Sequence, residues 1–390
     1  MLKKLKEEKK VEYLELIYDL IFVYVIGRNN SLLHDVSGGF VQSGAFIAYI
    51  LCTLAVIQIW NYSTFYINRF GRNDVREYIC LFINMYLLYY IAEGTRLHWE
   101  SFQNQYHIAW GLILVNLGIQ YVIELRNHRE EPGVQTQIKI RAAILFIQAV
   151  IVFAAVPVFN RTGTVLSGVA ILFGIIATLL TANRTRIGLI DFNHLSERAM
   201  LYVVFTFGEM IITAGLYFEG DFTGNSLYFS LLCFLIIVGL FLLYGILYNR
   251  IVDRDMDTNG TGYMLIHLFL IFALNNITSA LMFMQDSAVD LRPKILFLIG
   301  SFLLCFICVF AMGRYARPAL RPHGKTFLLM LAVLASFTAL MLLFRRQMYV
   351  NIAVTVLYVF GICLLLLRFI RRTKNAGPDA GAGPEQTGTI

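Results

Sequence analysis

The sequence predicts an all-α, polytopic transmembrane helix bundle of about twelve spans, and three observations support that prediction. Hydrophobic residues make up 58% of the 390 residues and charged residues only 15%, whereas a soluble domain has about 25% charged residues. Apolar runs near or above the roughly 18 residues needed to cross a bilayer recur along the chain. Lysine and arginine are concentrated on alternate connections between these runs. Few runs have a polar face, so a water-soluble helical bundle is excluded.

Twelve spans can be placed in order, each assigned to an apolar run between short polar connections. They are predicted at 13–27, 40–66, 77–95, 107–125, 140–158, 164–182, 199–218, 226–248, 261–284, 294–313, 326–344 and 348–367. The polar stretch between the sixth and seventh spans divides the chain into two predicted six-span halves, 1–183 and 184–370. The aromatic ends of the second and eighth spans are similar, which favours a parallel internal repeat, with chance similarity as the alternative. The Gly/Pro-rich tail, 371–390, is predicted to be disordered.

The distribution of positive charge predicts the topology. Of the 32 Lys and Arg residues, 25 fall on the side of the N-terminus and 7 on the other side. This asymmetry is the positive-inside bias, and it predicts a multi-pass cell-membrane protein with both termini in the cytoplasm. The net charge of +7 is therefore explained by the membrane topology and does not indicate nucleic-acid binding. The expected partner is the lipid bilayer. Nothing in the sequence indicates an oligomeric state.

Several classes of function are excluded by the residues that the spans lack. All nine lysines lie in connections or at span ends, so a retinal Schiff base has no attachment point within the bundle. The chain has no HExxH pair and no Gly-rich phosphate loop, and its connections are too short for a soluble catalytic domain. All six cysteines lie within predicted spans, without the spacing of a metal site or a disulfide framework. We therefore expect no cofactor, no metal and no enzymatic activity.

Ionisable residues inside the spans are the candidate functional residues, because charge in a bilayer is costly. In the first span, Glu12, Glu15 and Asp19 are spaced i, i+3 and i+7, which places them on one face of a helix. Glu15 could instead remain at the membrane interface. Asp19 lies roughly 13 Å along the helix beyond Lys10. We expect it to form a buried ion pair with Arg69 at the cytoplasmic end of the second span.

The seventh span carries a second polar face. Glu209 lies about 16 Å beyond Arg198 along the helix, close to the middle of the bilayer, and His194 lies on the same face. A carboxyl group at that depth must be protonated, paired or in contact with water. Glu209 is therefore the predicted proton carrier, with a polar contact between helices as the alternative. His267 in the ninth span is a hydrogen-bonded core residue, a proton carrier or a metal ligand. Glu124 lies near a span end and is expected to reach water.

Three motifs stand out along these segments. The first span contains Glu15-Leu16-x-x-Asp19-Leu20-x-Phe22; the second ends with Trp60, Thr64, Arg69-Phe70 and Asp74, before Arg76; the seventh contains His194-x-x-Glu197-Arg198 and Gly208-Glu209. In this order they resemble the low-temperature-requirement protein A family of bacterial membrane proteins. The resemblance implies a membrane bundle, and the family's name records a growth phenotype without implying a substrate. Trp60, Tyr66 and Asp74 complete the set of candidate residues for a proton or substrate path.

The leading interpretation is a proton-coupled secondary transporter of unknown substrate. Glu209 would carry the proton, and Asp19 with Arg69 would form a cytoplasmic gate or ion pair. The alternatives are an ion channel or membrane sensor that uses the same residues, and a membrane-embedded enzyme acting on a lipid-linked substrate. An enzyme should have polar clusters in its cytoplasmic loops, and these loops hold mainly basic residues. An occluded polar cavity around Glu209 would favour transport, whereas a continuous pore would favour a channel.

Overall fold

The computed structural model describes residues 10–97, 99–158, 161–182, 190–218, 223–284, 286–322 and 324–375. These residues form twelve α-helices, which confirms the all-α prediction. The helices are α1 Tyr13–Asn29, α2 Ser43–Phe70, α3 Val75–Leu97, α4 Trp99–Asn127, α5 Pro132–Ala155, α6 Arg161–Thr181, α7 Phe192–Ala214, α8 Gly224–Ile246, α9 Thr261–Phe283, α10 Leu291–Ala311, α11 Gly324–Leu343 and α12 Met348–Asn375.

Each predicted span coincides with one of these helices. Ten of them, α2 and α4–α12, are long and apolar enough to cross a membrane. The other two are α1, which has 17 residues, and α3. A helix satisfies its own backbone hydrogen bonds, so a bundle of such helices can lie in hydrocarbon without unpaired peptide groups. Membrane insertion is thus a consequence of both composition and secondary structure.

A short β-hairpin separates α1 from α2. Its strands are β1 Val36–Ser37 and β2 Phe40–Val41, which pair antiparallel. Gly38 and Gly39 between them have φ angles of +63° and +84°, as a two-residue type I′ turn requires. The Gly39 carbonyl accepts a hydrogen bond from the backbone N–H of Asp290 at 2.7 Å. This bond ties the hairpin to the start of α10.

The described helices group into two compact units. One contains α1–α7, α9 and α10 as far as Cys308; the other contains α8, α11 and α12. This division differs from the halves 1–183 and 184–370, and the internal repeat stays a prediction. Helix α12 continues to Asn375, beyond the predicted start of the tail at 371, and residues 376–390 lie outside the described residues.

The first unit is built around α2 and α9. Helix α2 contacts α1, α4, α6, α7 and α9, and 78% of the apolar window of α9 is buried. Helix α1 packs against α2, α3 and α7. Its residues Glu15, Asp19 and Phe22 are buried, while Ile17 and Leu20 on the other side are exposed. This helical period turns the carboxylates of α1 towards the interior of the unit.

Candidate functional site

Four ionisable side chains form a cluster between α1 and α7. Arg198 Nη1 lies 3.2 Å from Glu15 Oε2. The same guanidinium bonds to both oxygens of Asp19, with Nε 3.3 Å from Oδ2 and Nη2 in contact with Oδ1. His194 Nε2 lies 3.4 Å from Glu15 Oε2. All four side chains are at most 2% exposed, so this charge cluster is shielded from solvent.

Helix geometry explains why these four residues meet. Glu15 and Asp19 are four residues apart on α1, and His194 and Arg198 are four residues apart on α7, so each pair lies on one helix face. The contacts match in order, Glu15 with His194 and Asp19 with Arg198, because the two helices run in the same direction here. The Asp191 carboxylate accepts the backbone N–H of His194 at 3.1 Å. This N-terminal cap fixes where α7 begins, and therefore which of its residues face α1.

Two aromatic side chains, Trp60 of α2 and Tyr202 of α7, cover one side of the charge cluster. Trp60 Nε1 donates a hydrogen bond to Asp19 Oδ1 at 2.9 Å, and the Trp60 ring lies 4.4 Å from the ring of Tyr202 on α7. Tyr202 Oη is buried and has no hydrogen-bond partner among the described residues. A buried polar group without a partner costs about 1–3 kcal/mol. The cluster therefore has an unused hydrogen-bonding group beside its ion pair.

Asn68 of α2 sets the tautomer of His194. Its side-chain oxygen accepts the backbone N–H of Asp191 at 3.2 Å, and its Nδ2 donates to the Asp191 carbonyl at 2.8 Å. Because an amide nitrogen donates and an amide oxygen accepts, these two bonds identify which terminal atom of the Asn68 side chain is nitrogen and which is oxygen. The same Nδ2 lies 3.0 Å from His194 Nδ1, so Nδ1 is the acceptor of that contact. The ring proton consequently lies on Nε2, the nitrogen that faces Glu15.

The charge cluster holds two carboxyls and one guanidinium. The His194 imidazole, with its proton on Nε2 in this arrangement, is the fourth member. Asp19 accepts bonds from two nitrogens of Arg198 and from Trp60, which is the pattern of an ionised carboxylate. With two ionised carboxylates and one guanidinium, the cluster would hold a net negative charge in a buried position, which is unfavourable. The contacts of Asp19 leave Glu15 as the candidate protonation site of the cluster.

The predicted pair between Asp19 and Arg69 is wrong. Asp19 pairs with α7, while Arg69 donates to Gln137 Oε1 and its guanidinium lies 5.1 Å from the centre of the Phe70 ring. The physical reason is depth. Trp60 is the residue of α2 that bonds Asp19, and Arg69 lies nine residues further along α2, about 13 Å away at 1.5 Å per residue.

Glu209 and His267 lie away from the charge cluster. Glu209 is partly exposed, and its carboxyl packs against Gly27 near the opposite end of α1: a Cβ atom on Gly27 would lie 2.4 Å from Glu209 Oε1. His267 is fully buried, and its Nδ1 lies 2.9 Å from the carbonyl oxygen of Tyr263, one turn earlier in α9. The structure gives His267 the hydrogen-bonded core position that was one of its predicted roles.

Two other candidates have local contacts at the end of α2 and the start of α3. The Tyr66 ring packs edge-on against Tyr121, with 5.1 Å between ring centres. The Asp74 carboxylate accepts the backbone N–H of Glu77 at 2.8 Å and so caps the first turn of α3. Of the ten candidates, the structure brings together Glu15, Asp19, Trp60, His194 and Arg198.

Sequence reasoning missed a buried acid outside the charge cluster. Glu124 was expected to reach water, but its side chain is 0% exposed and lies 2.8 Å from Arg76 Nη2 and 3.4 Å from Arg72 Nη2. Asn127 Nδ2 donates to the same carboxylate at 2.9 Å. The expectation failed because a position near the end of one helix can still be covered by side chains from the connection between two other helices. The available signal was the pair of arginines, Arg72 and Arg76, at the connection between α2 and α3.

A neutral polar cluster joins the far end of α1 to α2 and α9. The side-chain amides of Asn30 and Asn275 donate to each other's oxygens at 3.2 and 2.9 Å. Tyr49 Oη accepts from Asn275 at 3.0 Å and donates to Asn276 Oδ1 at 2.6 Å. Helix α1 is therefore held by charged contacts near its start and by amide contacts just past its end.

These features define a class of protein. A bundle of long apolar helices, with ion pairs and amide clusters buried between them, is a polytopic integral membrane protein. The chain belongs to the family of the bacterial low temperature requirement A protein, LtrA, whose family model matches residues 10–360. This match confirms the resemblance carried by the three motifs, and it includes both charged clusters. No curated protein matches the chain.

Proposed function

We propose that this LtrA-family membrane protein is a proton-coupled secondary transporter in which Glu15 binds the coupled proton. The observation that carries the proposal is the composition of the charge cluster, two carboxyls and one guanidinium at most 2% exposed. Such a cluster is neutral only when it holds one proton or one other cation.

The electrostatic change on protonation is large enough to shift a conformational equilibrium. Glu15 Oε2 lies 3.2 Å from Arg198 Nη1, and at that separation an ionised Glu15 attracts the guanidinium by about 5 kcal/mol at an effective dielectric constant of about 20. Protonation removes that attraction, and desolvation of the carboxylate makes the net change smaller. Complete reversal of a two-state equilibrium from 1:99 to 99:1 takes about 5.5 kcal/mol. Protonation of Glu15 therefore supplies part of such a reversal, and a change in how α1 and α7 contact each other is the expected response.

The topology gives the two acids of these helices different roles. With both termini in the cytoplasm, as proposed from the charge asymmetry, Glu15 lies near the cytoplasmic start of α1. Glu209 lies towards the other membrane face, beside Gly27. In this proposal Glu15 is the coupling site and Glu209 is a second acid on the outer part of the path. Trp60 and Tyr202 are the groups placed to contact substrate next to the proton site.

A substrate-free electrical measurement tests the proton site. The purified protein is reconstituted in proteoliposomes on a solid-supported membrane, and the charge displaced by a pH jump is recorded. We expect a transient displacement in the unaltered protein, its loss in Glu15→Gln, and retention of most of it in Glu209→Gln. Glu130→Gln is the matched control, because Glu130 is an exposed residue between α4 and α5.

Two results would refute the proposal. A well-folded Glu15→Gln protein with an undiminished transient would remove Glu15 from the coupling step. A sustained ionic current that persists without a pH jump would identify a channel. Growth in the cold, from which the family takes its name, provides a cellular readout. In a bacterial strain lacking its own LtrA-family protein, Glu15→Gln should fail to restore cold growth at normal membrane abundance, and Glu130→Gln should restore it.

A further inference from the structure

A groove among the ends of α10, α11 and α12 combines an apolar wall with a cationic rim. The cavity has a volume of about 320 Å³. Lys325 and Thr326 of α11 and Arg368 and Arg372 of α12 line its rim. This mixture of apolar and basic surface differs from the charge cluster between α1 and α7, in which carboxyls accompany the cation.

Among the described residues, the three cations of the rim form no ion pair with an acidic side chain. The sequence from 291 to 375 contains no aspartate and no glutamate. None of the ion pairs between described residues includes Lys325, Arg368 or Arg372. Three like charges around one cavity repel one another, and an anion among them relieves that repulsion. The counter-ion that fits this rim is therefore external to these helices.

The wall of the groove follows the helix axes away from the charges. Leu329 and Val333 of α11 and Ile362 and Leu366 of α12 line it, with Phe310 of α10. Lys325 and Val333 are eight residues apart, which is about 12 Å along a helix. A groove with a charged mouth and an apolar run of this length matches a phospholipid headgroup followed by the first part of an acyl chain.

The exposure of α11 supports a lipid occupant. Only 17% of its apolar window is buried within the protein, and Phe327, Leu328 and Leu331 on its surface are exposed. In a bilayer such a helix is covered by acyl chains. The groove is continuous with this lipid-facing surface, so an acyl chain can enter it from the side without leaving hydrocarbon.

We propose that this groove binds one anionic phospholipid. Its phosphate lies among Lys325, Arg368 and Arg372, with the Thr326 hydroxyl as a further donor, and one acyl chain lies along Leu329 and Val333. Arginine offers a fork of donors that fits phosphate oxygens, and lysine adds a compact charge. Basic pockets between membrane helices are suited to anionic headgroups. The inference is independent of the proposed proton coupling.

A lipid competition experiment tests the assignment. The purified full-length protein in neutral detergent is given equal amounts of phosphatidylglycerol and phosphatidylcholine with the same acyl chains, and retained lipid is counted by native mass spectrometry. We expect selective retention of phosphatidylglycerol. Each basic residue contributes about fivefold in affinity, so combining Lys325→Gln, Arg368→Gln and Arg372→Gln should weaken binding on the order of 100-fold. If that variant fails to fold, Arg368→Gln alone should give about a fivefold loss.

Two further variants separate the headgroup from the acyl chain. Val333→Trp fills the apolar part of the groove and leaves all three charges, and it should also weaken retention. The matched control combines Arg345→Gln and Arg346→Gln, which remove exposed charges just past the other end of α11 and should leave retention unchanged. Equal retention of both lipids, or displacement of phosphatidylglycerol by inorganic phosphate alone, would overturn the assignment. Unchanged retention in the triple variant or in Val333→Trp would overturn it as well.

Discussion

Replacing Arg198 by glutamine should be the most damaging single change in the charge cluster. The variant leaves Glu15 and Asp19 buried one turn apart without their shared cation. Removing one partner of a buried ion pair costs about 3–5 kcal/mol, which is a large part of a typical unfolding free energy of about 5–15 kcal/mol.

The other changes in the charge cluster should follow in a defined order. Asp19→Asn leaves Glu15 at 3.2 Å from Arg198, so an ion pair is kept and the expected loss, about 1–3 kcal/mol, comes from weakened hydrogen bonds. Glu15→Gln leaves the Asp19–Arg198 pair intact and removes the excess acid, so it should cost about 1 kcal/mol or less.

The assay is denaturant unfolding of the purified full-length variants, read as free energies by linear extrapolation. Combining Asp19→Asn with Arg198→Gln should cost less than the sum of the single changes, with a coupling of about 0.5–3 kcal/mol. Arg69→Gln is the matched control, because it makes the same substitution at an arginine bonded to Gln137; its effect should add to that of Asp19→Asn. Coupling of Asp19 to Arg69, with additivity between Asp19 and Arg198, would refute the assignment.

Three more outcomes are expected. Glu124→Gln should lower the unfolding free energy by about 1–3 kcal/mol, because it weakens the charge-assisted bonds to Arg76. The loss stays moderate because Arg76 can still reach water. Unchanged stability in the same denaturant assay would contradict this prediction. Asn275→Ala should lower the unfolding free energy by about 1–3 kcal/mol for each buried group that loses its hydrogen-bond partner, and Asn30 is one such group. The thermal unfolding temperature of the variant measures this loss, and a decrease no larger than that of a surface substitution would count against the prediction. In intact cells, a membrane-impermeant thiol reagent should not label Glu130→Cys, and labelling from outside would reverse the proposed topology.

The fold was predictable because its signals are local. Each span is specified by its own apolar composition, and positions such as Ile17 and Leu20 show their lipid-facing side by helical period alone. The hairpin around Gly38 and Gly39 was not predicted, because a two-residue turn leaves little trace in hydropathy. The grouping of helices into two compact units depends on which faces pack together, and hydropathy does not encode that.

The charge cluster was half predictable for a related reason. Both helix faces were recognised, Glu15 with Asp19 and His194 with Arg198, but the partner of Asp19 was sought in the next helix along the chain. The depth of Arg69 along α2 already argued against its pairing with Asp19. The residue of α2 that lies level with Asp19 is Trp60, nine positions before Arg69. Asn68 was missed altogether, because its role depends on backbone atoms beyond its own helix.

The bond between Trp60 and Asp19 gives the protein a native optical probe. The chain contains three tryptophans, and replacing Trp99 and Trp110 by phenylalanine would leave one indole, donating to a carboxylate of the charge cluster at 2.9 Å. An indole's emission wavelength responds to the electric field across its ring, so the proton binding proposed for Glu15 should change the colour of the fluorescence. Protonation of the proposed site can thus be followed in real time, without any attached dye, while candidate solutes are screened one after another.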